Sequence, residues 1–480
     1  MCKQTRGTAS GLARHLNRFG IFGRSATLAL ALLFGEGVLP GGLSAQGVST
    51  RQVRALSLAE AIEDALAANP TLRIADAQLE MAEAQEKAVA SRLLPRLDVS
   101  AGYLRSVDPV AVFGTKLRHG VFTESDFDLD VLNTPDPIDD WTAIAELRWS
   151  AVDLTSWAAR SAAGHHAAAS GWERQRTREA TILGARVLYY RALAAAGAVR
   201  EAEAAEEAGR ATVGRFERRR DQGLLTEADV LQAQAELRAA EARRIEAIRR
   251  RDEHRAALGL HLGWDSTLLP EPSDALGSLT PPNPPSESGF DGGARADLRM
   301  LASLRSAAQA EARGSRLGFL PALDGFAQYA NHAGAAFDSD GADWTVGLVL
   351  RWNLFFGRFA DSQRTAAARR IADTRYEDAL RAARSEFDRA RQAVSATESQ
   401  VLAFRAAVVA AEEARDLLRR RFEEGLATAS DLLQAEARAV GMRQRAVEAL
   451  AAQHIAMARL DFVSRGSDSA GHINDEERRP

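Results

Sequence analysis

Two ten-residue stretches, WTAIAELRWS at 141–150 and WTVGLVLRWN at 344–353, alternate in character with a period of two. Successive strand residues point to opposite faces. Trp141, Ala143, Ala145, Leu147 and Trp149 therefore fall on one side, and Thr142, Ile144, Glu146, Arg148 and Ser150 on the other. The second copy sorts the same way, with Trp344, Val346, Leu348, Leu350 and Trp352 opposite Thr345, Gly347, Val349, Arg351 and Asn353. The tryptophans of a pair are separated by roughly 26 Å along a strand, or about 20 Å in height at a tilt of ~40°. That is near the height of a lipid-facing band between two aromatic girdles. Trp141, Leu147, Trp149, Trp344, Leu350 and Trp352 are thus expected to face lipid; an amphipathic strand in a soluble sheet would give the same alternation.

The pattern belongs to a duplication. LPRLDVSAGY at 94–103 returns as LPALDGFAQY at 320–329, and GLLTEADVLQAQA at 223–235 returns as GLATASDLLQAEA at 425–437. The offset falls from 226 positions at the first pair to 203 at the tryptophan strands, which places 23 extra residues of the first copy within 104–140. In each copy a helix (57–92, interrupted near Asn69 and Pro70; then 294–318) meets Pro95 or Pro321 and becomes a strand. A polar loop leads to the tryptophan strand. Two long helices follow, at about 153–222 and up to 262 in the first copy, and at about 359–424 and 430–463 in the second. The boundaries expected are a signal peptide at 1–45, repeats at 46–265 and 294–464, a proline-rich linker at 266–293 and a polar tail at 465–480.

All 14 prolines are confined to a few places, so two stretches of over a hundred residues lack the strongest helix breaker. Neither stretch is expected to cross a bilayer as a helix, so strands would have to do it. Nearly 70 helical residues would span about 100 Å. Such a helix must lie along other long helices, as in a coiled coil or helical barrel. Four two-faced strands cannot close a barrel, and an open edge is not tolerated in lipid. Pooling three chains gives twelve strands, an even number in the range of outer-membrane barrels, in a ring closed by rotation. A helical tube continuing such a barrel is a conduit.

The first 45 residues have the order of an export signal: five basic residues, an apolar run at 26–34 and a small-residue end at Ala45. The single cysteine, Cys2, would leave with it, and so would Glu36, taking the formal charge from −4 to about −8. An acidic exported chain without a thiol is a poor candidate for nucleic acid, disulfides or thiolate chemistry.

The LSLAEAIEDALAANPTLR segment from Leu56, the LLPRLDVSAGY passage, WTAIAELRW and the paired GLxTxxDxLQA turns resemble the TolC-like outer-membrane efflux family over nearly all of the mature chain. The resemblance implies a homotrimer of mixed α and transmembrane β structure. Four strands per protomer would join a shared twelve-strand barrel that continues into a long periplasmic α-helical barrel. It implies an outer-membrane location in a Gram-negative-type bacterium and export of small molecules or proteins with a periplasmic adaptor and an inner-membrane pump. In the family the hairpin tips form the mouth where adaptors dock; here these positions are Gly223, Leu224, Thr226, Gly425, Leu426 and Thr428. Asp229 and Asp431 would line a cation-sensitive constriction, or alternatively stabilise a helix N-terminus. Gln232 and Gln434 stand where a second acid would sit, and Ala427 offers no charge for a gating ion pair.

Other chemistry finds little footing. His165 and His166 face different directions on a helix, and the acidic loop from Glu124 to Asp140 lacks a glycine-hinged calcium loop. No nucleophile elbow, phosphate loop or zinc-spaced set occurs, so neither catalysis, a cofactor nor a metal is expected. The competing reading is a soluble periplasmic coiled-coil scaffold or adaptor.

Overall fold

A computed structural model describes residues 52–279, 290, 292–293, 295–338 and 340–464. The expected signal peptide and C-terminal tail lie outside these residues. In chain order the elements are β1 (Gln52–Leu56), α1 (Leu58–Ala68), α2 (Pro70–Ala90), β2 (Arg96–Ser106), α3 (Pro109–His119), α4 (Leu129–Asn133), β3 (Ile138–Val152), α5 (Leu154–Asp221), α6 (Glu227–His261), β4 (Leu268–Pro272), α7 (Ala296–Leu317), β5 (Ala322–Ala333), β6 (Gly341–Arg351), α8 (Gly357–Glu423) and α9 (Ala429–Ser464).

Local chemistry sets the helix ends. Ser57 and Glu60 form a capping box at the start of α1. Asn69 caps α2, whose first residue is Pro70; proline fits there because its missing N–H would be unpaired in any case. Asp153 accepts from the Thr155 N–H at 2.9 Å and so opens α5 immediately after β3. The long helices pack in pairs, α5 on α6 and α8 on α9, with α5 also against α9.

The main core lies midway along α5. Tyr189, Tyr190 and Leu193 are buried there with Leu56, Ala61, Leu258 and Leu262. The Tyr189 hydroxyl donates to the Leu56 carbonyl (3.0 Å) and the Asp274 carboxylate (2.7 Å), and burial, then that carboxylate, raises its pKa. Asp274 also accepts from the Leu58 N–H at 2.9 Å. One departure from the sequence reading lies on this helix. α5 does contain an 18-residue stretch apolar enough, by length and composition, to cross a bilayer, and 44% of that stretch is buried within the chain.

Two further regions differ from expectation. The proline-rich stretch contributes β4, which pairs in parallel with β1 from Gln52↔Leu268 to Leu56↔Pro272. A two-stranded sheet is all edge, where Pro270 and Pro272 leave no required ladder bond unmade. The polar loop at 104–140 is folded into α3, a 3₁₀ turn (Glu124–Phe127) and α4. Asp108 caps α3 ahead of Pro109, and Gly120 closes it at φ 71°.

Candidate functional site

The second sheet is antiparallel in the order β2-β3-β5-β6, so β2 and β6 are its two open edges. Residues directly opposite share a face. Leu97 pairs with Leu147, Val99 with Ala145 and Tyr103 with Trp141. Leu147 pairs in turn with Ala327, and Ala145 with Tyr329; Ala327 and Tyr329 pair with Val346 and Trp344. One face is therefore apolar across all four strands, and it is uncovered within the chain: Val99 and Trp344 are each 74% exposed and Leu350 68%. The opposite face carries charge. Arg96 meets Asp98 at 2.7 Å and Arg148 meets Glu146 at 2.6 Å, while Asp324 holds Arg351 and accepts from the Ser150 hydroxyl.

The four tryptophans predicted to face lipid fall into two rows, with Leu147 and Leu350 on the apolar face between them. Trp141 packs on Tyr103 with centroids 4.7 Å apart, and Trp344 lies opposite Tyr329. At the other end Trp149 and Trp352 sit where helix turns into strand. Trp149 Nε1 donates to the Leu93 carbonyl at 3.1 Å and Trp352 Nε1 to the Phe319 carbonyl at 3.0 Å. Leu93 and Phe319 are equivalent residues, each two before Pro95 or Pro321. These prolines cannot continue a helix ladder, and the indoles take up carbonyls that the break leaves free.

The far end of the sheet holds a cluster that the sequence did not reveal. Asp140 is buried between two histidines, with His119 Nε2 at 3.0 Å and His332 Nδ1 at 3.3 Å. His119 ends α3, Asp140 is on β3 and His332 on β5, so the cluster fastens the insert to the sheet. Within the insert Asp126 accepts from Lys116 Nζ at 2.7 Å and from the Thr123 N–H at 2.7 Å. The ammonium, then the backbone donor, hold its carboxyl down at about 2. The acids at 124–140 are thus built into a folded insert.

At the other end of the long helices the two turns are near copies. Gly223 and Gly425 take φ values of 74° and 77°. The Leu224 N–H returns to the Arg219 carbonyl (2.8 Å) and the Leu426 N–H to that of Arg421 (2.7 Å), closing Schellman motifs. Leu224 and Leu426 are left 61% and 63% exposed. Thr226 and Thr428 then cap α6 and α9. Each hydroxyl accepts from the N–H of Asp229 or Asp431, at 3.3 and 3.2 Å, while the carboxylate takes the threonine N–H at 2.9 and 3.0 Å. The hydrogen bonds from the Thr428 side chain and then its backbone lower the Asp431 pKa. Both acids are therefore engaged as helix caps. Beneath the turns Phe216, Val230, Phe422 and Leu432 are buried together.

His166 meets Glu311 at 3.2 Å, an exposed contact between α5 and α7. Among the described residues no group of three or more His, Cys, Asp or Glu side chains is arranged to hold a metal ion.

Comparison with known proteins agrees with this architecture. The family described as outer membrane efflux protein matches residues 61–263 and 293–464. No curated protein sequence matches the chain. Among solved structures, CusC, studied for folding and transmembrane channel formation, aligns with a TM-score of 0.75 at 15% identity, over 85% of this chain and 92% of that one. The outer membrane protein VceC of Vibrio cholerae gives 0.71 at 22% identity, over 85% and 96%. The CmeC outer membrane channel of Campylobacter jejuni gives 0.74 at 16%, over 86% of each chain. At these identities the likeness establishes the fold, and the family match carries the assignment across both repeats. The chain belongs to the outer membrane efflux protein family, which places it in the outer membrane.

Proposed function

We propose that three copies of the chain form a passive duct, with a twelve-strand barrel in the outer membrane and a closed tube of periplasmic helices. The duct would receive substrates from an inner-membrane pump through a periplasmic adaptor and perform no catalysis. The observation that supports this most directly is the sheet with one apolar face and two open edges. In hydrocarbon every backbone group needs a partner, so β2 of one copy must pair with β6 of the next. The charged face then lines the lumen, and the aromatic rows sit at the two interfaces.

The exposed Leu224 and Leu426, held on rigid turns, are the adaptor contacts. Asp229 and Asp431 ring the mouth while capping their helices. Native mass spectrometry of the full-length protein in detergent tests the assembly. Three copies are expected, and a lone chain would overturn the reading. Leu224→Glu with Leu426→Glu should leave that mass unchanged and abolish adaptor capture in a pull-down; undiminished capture would refute the docking role.

A further inference from the structure

The insert between β2 and β3 takes one side of the sheet. Asp140, Thr142, Glu146 and Arg148 are spaced by even numbers of residues along β3, so Asp140 belongs to the charged face. His332 pairs with Thr142, and Gly341 with His332, which puts both on that face as well. His119 reaches it through its 3.0 Å contact with Asp140. A Cβ built on Gly341 would overlap the Arg118 carbonyl, so glycine is what lets the end of α3 come this close. Asp140, Ala330 and His332 are buried there, whereas Arg148, further along the same face, is exposed. In a ring whose charged faces line the lumen, each insert therefore stands inside the exit of the duct, against its wall.

α3 carries two opposed stripes. Val112, Thr115 and His119, at the i, i+3 and i+7 spacing of one helix face, are buried. Val110, Gly114 and Leu117, at i, i+4 and i+7, form the opposite face. Val110 is 82% exposed and Leu117 53%, and a Cβ built on Gly114 would meet no atom within 4 Å. This face is apolar in a segment that holds eight acids from Asp108 to Asp140. A stripe turned away from the wall of a tube is turned toward its axis, and rotation brings three copies of it together there. Each then meets the other two where apolar surface would otherwise stand in water.

We infer that the partner of this stripe is the same stripe in the neighbouring copies: Val110, Gly114 and Leu117 of three inserts form an apolar collar that narrows the exit, and the Asp140 cluster holds each insert in place against the wall. An apolar constriction sheds water and so limits conduction without any charge. Gly114 leaves room for the helices to approach closely. This rests on the ring of copies proposed above.

The test uses the full-length protein in planar bilayers. Val110→Thr with Leu117→Asn keeps the side chains close in size and makes the collar polar, so single-channel conductance should rise. Both positions are exposed within one chain, so its own core is untouched. Unchanged conductance would overturn the collar. A second pair of variants, in a Cys2→Ser background, reads the contact directly. Oxidised Leu117→Cys should link chains in pairs on a denaturing gel, whereas Val346→Cys, exposed on the apolar face of β6, should leave single chains. Equal linking at both positions would show that the α3 stripe has no partner of its own and would overturn the inference. Absence of a link at Leu117→Cys in a protein that native mass spectrometry finds as a ring would overturn this inference alone; absence of the ring itself would overturn the reading beneath it.

Discussion

The two ends of the duplicated unit have diverged to different degrees. At the hairpin tips the two copies match almost atom for atom, with the same positive-φ glycine, the same exposed leucine and the same Thr–Asp capping box. At the far end of the sheet they do not. The first copy carries α3 and α4, fastened through a buried Asp140. In the second, β5 passes to β6 by a short turn, and the equivalent acid, Asp343, has a side chain 57% exposed. The tips hold their pattern because each must reverse the chain at the same level as its neighbours. The far end is free to vary because a strand connection need only return the chain to the sheet.

The largest test of the comparison lies between the two ends. Leu147→Arg and Leu350→Arg each put a cation on the apolar face. Each should cost roughly 2 to 4 kcal/mol if placed near the bilayer midplane, read as loss of folded protein in lipid vesicles against urea. Similar losses would show that the two halves of the apolar face are equivalent. Asp140→Ala should cost about 1 to 3 kcal/mol, because it leaves two buried imidazole donors without their acceptor. Limited proteolysis should then cut within 109–133, whereas Asp343→Ala should leave that pattern unchanged. Equal cutting in both variants would erase the contrast.

At the tips Gly223→Ala and Gly425→Ala should each cost about 1 to 2 kcal/mol, the strain of an L residue at positive φ. No atom lies within 4 Å of a Cβ built at either position, so thermal unfolding should shift equally for both. The smallest effect is that of pH on the insert. The folded Asp126 carboxyl titrates at about 2, below an ordinary value of about 3.9. Its contribution is fully present above the ordinary value and is lost as pH falls through the lower one. Hydrogen-exchange protection in 109–133, taken relative to the intrinsic amide rate at each pH, should therefore be high at pH 5 and fall toward pH 2, and Asp126→Asn should lower it at both.

Features encoded by local spacing were legible in the sequence. The apolar face followed from period two with aromatic ends, and the turns from glycine and threonine at fixed offsets. The first-turn acids were legible as helix stabilisers, which is how the carboxylates of Asp229 and Asp431 are engaged. Features made by distant partners were not. β1 and β4 lie more than two hundred residues apart and are short, and the prolines of β4 argue against a strand. The Asp140 cluster draws on three elements, and the bonds from the Arg219 guanidinium to the Phe422 and Glu423 carbonyls at the end of α8 depend on how two hairpins lie side by side. One local signal was passed over: Asp108, Pro109 and Gly120 are a start and stop for α3 that composition had hidden inside an acidic loop.

The corners made by Trp149 and Trp352 have a consequence for how such chains change length. α5 has 68 residues and α8 has 67; each begins just beyond one of these corners and ends in one of the matched turns. A single helical turn added to one of them alone would drop its tip about 5.4 Å below the other and pull Arg219 from the carbonyls it serves. Insertions and deletions in these helices must therefore come in matched pairs, so the length of the helical part can be revised only by editing both halves of the chain together.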